Sequence, residues 1–167
     1  LEMLSEWIYQ LAKQSSNHEV DVWLSENLHG KYGCQCEKCK HEHHTVNEAR
    51  AVVKAWQMAK QKLGDNITLY MLTSEATEDS NPLIFAELPE EIRIWYYHSL
   101  YTYNSIRQPM IRPYLVDEVK KGRWLGVCPN LDAWTHTNVP FSGATFIKFR
   151  ISEFLTKGLN GLLGYAT

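Results

Sequence analysis

Long hydrophobic runs are missing from this chain. No apolar stretch reaches the ~20 residues that a membrane-crossing helix requires, so no membrane partner is expected. An excess of one charge is missing too. The 17 basic and 19 acidic residues leave a net charge of -2 at pH 7, with no polybasic tract and no acidic tail. Nucleic-acid binding draws on concentrated positive charge that displaces counterions, so that class is set aside. Spaced glycines are absent where a nucleotide would need them: Ser25-Glu26-Asn27-Leu28-His29-Gly30 follows the first apolar run without a phosphate-cradling pattern. There is no internal repeat, low-complexity tract or interdomain linker. Cysteine is scarce and unevenly placed, with three residues crowded together and Cys128 far away. A secreted disulfide framework would spread them, so reduced thiols or metal ligands fit better. The acidic, helix-like start Leu1–Trp7 is not a signal peptide. A removed signal is compatible with the lack of an initiating Met, and the compartment stays open.

What is present is a core. Hydrophobic residues make up 44% and aromatic residues 12% of 167, which excludes disorder and suffices for one ordinary domain. Helical spacing predicts helices over 3–15, 45–63, 113–121 and 142–157. Apolar runs predict strands at Val20–Leu24, Ile67–Leu72, Ile92–His98, Trp124–Cys128 and Gly161–Ala166. The stretch with Asn81-Pro82 and Leu88-Pro89 reads as a loop, and the stripe Phe146, Phe149, Phe154 as core. Strands apolar on both faces and alternating with helices mean an α/β fold with a parallel sheet covered by helices. Five strands do not close a barrel, and an open sheet would expose backbone edges. Residues 1–167 are therefore expected to be a single domain, the C-terminal five-eighths or so of a (β/α)8 barrel. The remaining strands would come from the rest of the protein or from a homo-oligomer. A complete five-stranded doubly wound domain is the rival.

Enzymes on parallel strands place their chemistry beyond the C-terminal strand ends. The sequence puts Glu26 at such a tip, just before Cys34-Gln35-Cys36-Glu37-Lys38-Cys39. Three thiolates at that spacing suit a tetrahedral zinc ion completed by a fourth ligand, with His41, His43 and His44 close by in sequence. His43 is taken as the candidate. The second Cys-x-x-Cys unit of a two-knuckle site is absent, so a disulfide or free thiols packed in a loop remain alternatives.

The run Trp23-Leu24-Ser25-Glu26-Asn27 followed by Gly30-Lys31-Tyr32-Gly33-Cys34-Gln35-Cys36-Glu37-Lys38-Cys39 resembles a stretch of bacterial glycoside-hydrolase-like (β/α)8 proteins. These are related to α-glucuronidases and β-N-acetylhexosaminidases. In them a strand ending in a polar or acidic residue is followed by Cys-x-Cys-x-x-Cys and a helix. The approach Gly158-Leu159-Asn160-Gly161-Leu162-Leu163-Gly164-Tyr165 is similar to their final barrel strand. That family carries an Asn-Asp or Asp-Glu pair at the tip, where this chain has Ser25-Glu26-Asn27.

The resemblance implies a carbohydrate substrate and hydrolysis of a glycosidic bond by two carboxylates, with zinc in a structural part and no other cofactor. Glu26 is the candidate acid, against a loop carboxylate that caps a backbone N–H or pairs with Lys31. Glu75, Asp79 and Asp132 are strand-tip candidates for the second carboxylate, with Glu75 and Asp132 preferred. A separation of about 5–5.5 Å gives retention and about 6.5–9.5 Å gives inversion. Tyr96 and His98 share a strand face and either hydrogen-bond a sugar or sit in the core beneath the site. Trp134 and His136 follow the fourth strand, where an indole stacks on a sugar ring or packs the rim. Arg93 and Arg112 are possible partners for a uronate, against ordinary surface pairing.

Overall fold

A computed structural model describes residues 1–26, 34, 36–64, 66–98, 108–129 and 144–163. Asp132, Trp134 and His136 lie outside the described residues. The described order is α1 (Glu2–Gln14), β1 (Glu19–Trp23), α2 (His44–Leu63), β2 (Thr68–Ser74), a 3-10 turn (Glu75–Thr77), α3 (Asn81–Glu87), β3 (Arg93–His98), α4 (Pro113–Lys120), β4 (Leu125–Pro129), α5 (Ala144–Thr156) and β5 (Gly161–Leu162). The fold is α/β, and the described pairings β1–β2, β3–β4 and β4–β5 are all parallel. No described helix is long and apolar enough to cross a membrane. The chain divides into two compact units, Leu1–Arg93 and Ile94–Thr167.

In the first unit, α1 buries Ser5, Ile8 and Ala12, a stripe at helical spacing, and packs against α2. Glu2 in its first turn and Lys13 in its last complement the helix dipole. Met3 and Trp7 are 87% and 47% exposed. They lie on the flank of the helix turned away from the Ser5–Ile8–Ala12 stripe. His18 turns the chain into β1 with φ of 55°, the one non-glycine positive φ among the described residues. β1 alternates: Val20 and Val22 are buried while Asp21 and Trp23 are exposed. Its register with β2 runs from Glu19 opposite Thr68 to Trp23 opposite Leu72, and Leu24 N–H continues it to Leu72 O at 3.2 Å.

α2 presents Val46, Ala49, Val52, Val53, Trp56 and Ala59 to the core. Trp56 Nε1 donates to Ile67 O across the return to β2, and Gly64 ends the helix at φ of 76°. The stretch expected as a loop after β2 holds the 3-10 turn and α3. Pro82 stands in the first turn of α3, where its missing N–H has no partner to lose, so it starts a helix there and does not break one.

In the second unit, β3, β4 and β5 follow one another as neighbours, the one-directional winding a barrel uses. β3 buries Ile94, Tyr96 and His98 on one face. On the other, Trp95 meets Trp124 edge-to-face at 4.9 Å, and both indoles lie on glycine backbone. A Cβ on Gly126 would collide with Trp95, and one on Gly161 would sit 2.8 Å from Trp124 Cη2. Asn160 locks β4 to the start of β5: its Oδ1 accepts Leu125 N–H at 2.9 Å and its N–H donates to Leu125 O at 2.8 Å.

α5 departs from the expected aromatic core. Only Phe154 of the phenylalanine stripe is buried, and Phe149 is 43% exposed. The inward positions also carry Arg150, fully buried, and Glu153. Arg150 Nη1 donates to Gln108 O and Glu153 Oε2, both at 2.8 Å. Glu153 Oε1 accepts Ile111 N–H at 3.0 Å and Lys157 Nζ at 2.7 Å. Lys157 Nζ reaches Ile111 O at 2.8 Å. Helix α5 is thus held to the segment 108–111 by an ionic network.

Candidate active site and thiolate cluster

The tip of β1 is built by α2. Glu48 accepts Ser25 N–H with Oε2 at 3.0 Å and the Ser25 hydroxyl with Oε1 at 2.9 Å. That two-point grip fixes the backbone directly before Glu26. Glu26 is half-buried, with Oε1 out of water and without a hydrogen-bond partner among the described residues. Buried carboxylate oxygens are seldom left so. Glu75 is the first residue of the 3-10 turn after β2. The β1–β2 register pairs residues 49 positions apart, Glu19 with Thr68 and Trp23 with Leu72. Glu26 and Glu75 each lie just past the C-terminal end of their strand, three residues beyond Trp23 and one beyond Ser74, and the two strands are parallel neighbours.

The β2 tip has its own buried polar frame. Ser74 Oγ accepts Ala76 N–H at 3.1 Å, and Thr77 Oγ1 accepts Ser74 N–H at 3.1 Å, a reciprocal cap. Thr77 Oγ1 donates to Asn81 Oδ1 at 2.7 Å, and Asn81 Nδ2 donates to Ser74 O at 3.0 Å. Ser80 Oγ lies 2.8 Å from Thr45 Oγ1 at the head of α2. His43 Nδ1 lies 2.7 Å from Thr45 Oγ1 and caps α2. The turn that carries Glu75 and the start of α2 are therefore one hydrogen-bonded piece.

Between the β1 tip and α2 the three thiols converge. One sulfur from each of Cys34, Cys36 and Cys39 lies within 4.8 Å of the others. A tetrahedral zinc site with Zn–S near 2.3 Å spaces its sulfurs by roughly 3.8 Å, so a contraction of about 1 Å or less would complete it. Cys36 Sγ also receives the backbone N–H groups of Lys38 and Cys39. Those two donors stabilise a thiolate in place, which is what a ligand sulfur needs. Hydrogen bonds from Cys34 and then Cys39, followed by these N–H groups, bring the Cys36 thiol down to about 7. Cys39 is pushed up to about 11 because its proton serves Cys36 first and Cys34 second. The donor set fits a soft metal ion. Among the described residues the cluster holds three ligands and His43 is not one of them; its ring is engaged at the α2 cap and stacks on His44 at 4.6 Å. All four cysteines are free thiols.

Tyr96 and His98 belong to the second unit, both buried, with rings edge-on at 5.8 Å. Arg93 contacts the Tyr70 hydroxyl and pairs with Glu19 at 3.6 Å. Glu19 and Arg93 open their strands, so this pair marks the N-terminal rim, away from the tips. Arg112 heads α4, and Asp79 is exposed. A groove of about 570 Å³ runs along α2 beside Trp56, Lys60, Gly64 and Glu91, also at the N-terminal end of the strands. Sequence reasoning missed Ser25 and Glu48. They are 23 residues apart, and a glutamate in an amphipathic helix carries no mark that separates a grip on a strand tip from a solvated face. Compared with known proteins, the chain matches no family model, no curated protein and no solved structure.

Proposed function

We propose that this chain is a carbohydrate-active domain that cleaves a glycosidic bond at the C-terminal rim of its parallel strands, as part of a (β/α)8 barrel. The observation that carries the proposal is Glu26, just past the end of β1 with a buried oxygen that has no described partner, while Glu75 follows the end of the parallel neighbour β2. Two carboxylates at adjacent strand tips are the minimum machinery of most glycoside hydrolases. Glu26 is the proton donor to the leaving oxygen. Glu75, directly after β2, is the second carboxylate. A zinc ion held by Cys34, Cys36 and Cys39 has a structural part in this reading: it would pin the loop behind Glu26.

The experiment is hydrolysis of a panel of aryl glycosides and aryl uronides, followed for the parent, Glu26→Gln and Glu75→Gln. Each substitution lowers kcat/KM by at least 10²–10⁴, the usual span of acid–base catalysis. Turnover retained by Glu26→Gln removes that residue from the mechanism. If the parent binds sugars and cleaves none, the second reading takes over, a zinc-stabilised carbohydrate-binding domain; the three convergent thiols, which could hold a metal ion, favour it.

A further inference from the structure

We infer that Glu48 is a positioning residue through which filling of the thiolate cluster is coupled to the setting of Glu26. Both ends of the coupling lie on one turn of α2. Glu48 grips Ser25 by its N–H and hydroxyl at 3.0 and 2.9 Å, directly before Glu26. Its neighbour Asn47 reaches the other way, Nδ2 to Cys39 O at 3.5 Å.

The path from the cysteines to that turn is continuous. Cys39 N–H and Lys40 N–H both donate to Cys36 O at 3.0 Å, and Glu42 N–H donates to Cys39 O at 3.1 Å. Val46 N–H then donates to His43 O at 3.0 Å inside the first turn of α2. Arg50, one turn further on, pairs with Glu42 and with Glu87, which holds the segment against the helix. A metal ion that draws Cys34, Cys36 and Cys39 together acts on one end of this rigid piece, and the Glu48 carboxylate sits at the other. Loss of the grip frees Ser25 and Glu26 and also loosens the scaffold that presents Cys36 and Cys39. Linkage requires the effect to be equal in both directions: what metal does for the tip, the tip does for metal affinity. The consequence for catalysis rests on the reading of Glu26 given above; the coupling itself does not.

The test is zinc affinity of the full chain under a phosphine reductant, by competition with a chromophoric chelator, with cobalt(II)–thiolate absorption as the check on ligand set. The parent takes up one ion. Glu48→Ala weakens zinc about 10-fold with unchanged cobalt bands, Ser25→Ala by about 3-fold, and Glu48→Gln falls between parent and Glu48→Ala because an amide keeps one of the two acceptor contacts. Glu91→Ala, which removes a surface partner of Lys60 at the far end of α2, leaves affinity unchanged. In ¹³C spectra, zinc moves the Glu26 carboxyl signal of the parent and not that of Glu48→Ala. Ser25→Ala deletes a single hydroxyl and keeps the test open if Glu48→Ala fails to fold. The inference is overturned if the parent binds no zinc, if Glu48→Ala stays within about twofold of the parent, if Glu91→Ala weakens zinc as much, or if the Glu26 signal still responds without Glu48. No sugar enters either measurement, so failure here and failure of the glycosidase reading are separate results.

Discussion

Removing the Glu153 side chain should cost the second unit more than any exposed charge in the molecule. Arg150 is fully buried and Glu153 is 8% exposed, so Glu153→Ala strands a guanidinium that has no water to turn to. The same change deletes the acceptor of Ile111 N–H and of Lys157 Nζ. Breaking a buried pair from one side costs about 3–5 kcal/mol, against about 0–1 kcal/mol for a surface pair such as Lys60–Glu91. The assay is urea unfolding followed by circular dichroism, with Glu91→Ala as the comparison. Burial alone would raise the Glu153 carboxyl; Lys157, the Ile111 N–H and Arg150 together outweigh it and hold it below its ordinary value. A depressed folded value contributes stability that is fully present above about pH 4.5 and is lost as pH falls through the folded value. The parent therefore loses stability below that point, and Glu153→Ala, already without the carboxylate, loses less. Replacing both partners, Arg150→Met with Glu153→Leu, recovers at least half of the loss. A cost under about 1 kcal/mol for Glu153→Ala, well short of the expected range, would refute the reasoning.

Three further outcomes follow from the geometry. Gly126→Ala forces a methyl into the Trp95 indole and costs about 1–3 kcal/mol as overpacking, read in the same urea titration; Gly126→Ala with Trp95→Leu recovers part of it. Under limiting iodoacetamide, mass spectrometry finds Cys34 and Cys36 labelled well before Cys128, since the first two are exposed and burial pushes the Cys128 thiol up; equal labelling would contradict the placement. His18→Gly relieves the left-handed backbone, and its stability stays within about 1 kcal/mol of the parent, because the ~1–2 kcal/mol strain of that region offsets the ~0.5–1 kcal/mol entropic cost of glycine; a larger loss would mean that the His18 side chain carries a contact.

The strands and the two long N-terminal helices were legible because their signals are local. Val20–Leu24 and Ile67–Leu72 are apolar runs closed by turn residues, and Gly64 and Gly122 stop helices where they stand in the sequence. The helix at Asn81–Glu87 was hidden by Pro82, which reads as a breaker until its place in the first turn is known. The inward side of α5 was misjudged because aromatic residues outrank arginine on any hydropathy scale; Arg150 is buried where Gln108 O and the Glu153 carboxylate accept from it, a tertiary fact with no local trace. At the site, Glu26 and the cysteines could be picked out by type and spacing. The Ser25–Glu48 grip could not, since it joins residues far apart whose types are common on any surface.

The indoles resting on bare backbone in the second unit bind four positions into one hereditary block. Trp95, Trp124, Gly126 and Gly161 cannot drift one at a time: a side chain gained at either glycine demands a smaller ring at a tryptophan in the same step. In related chains these four columns should therefore change together or not at all, and a lone exception would point to a local rearrangement of the β4–β5 ladder.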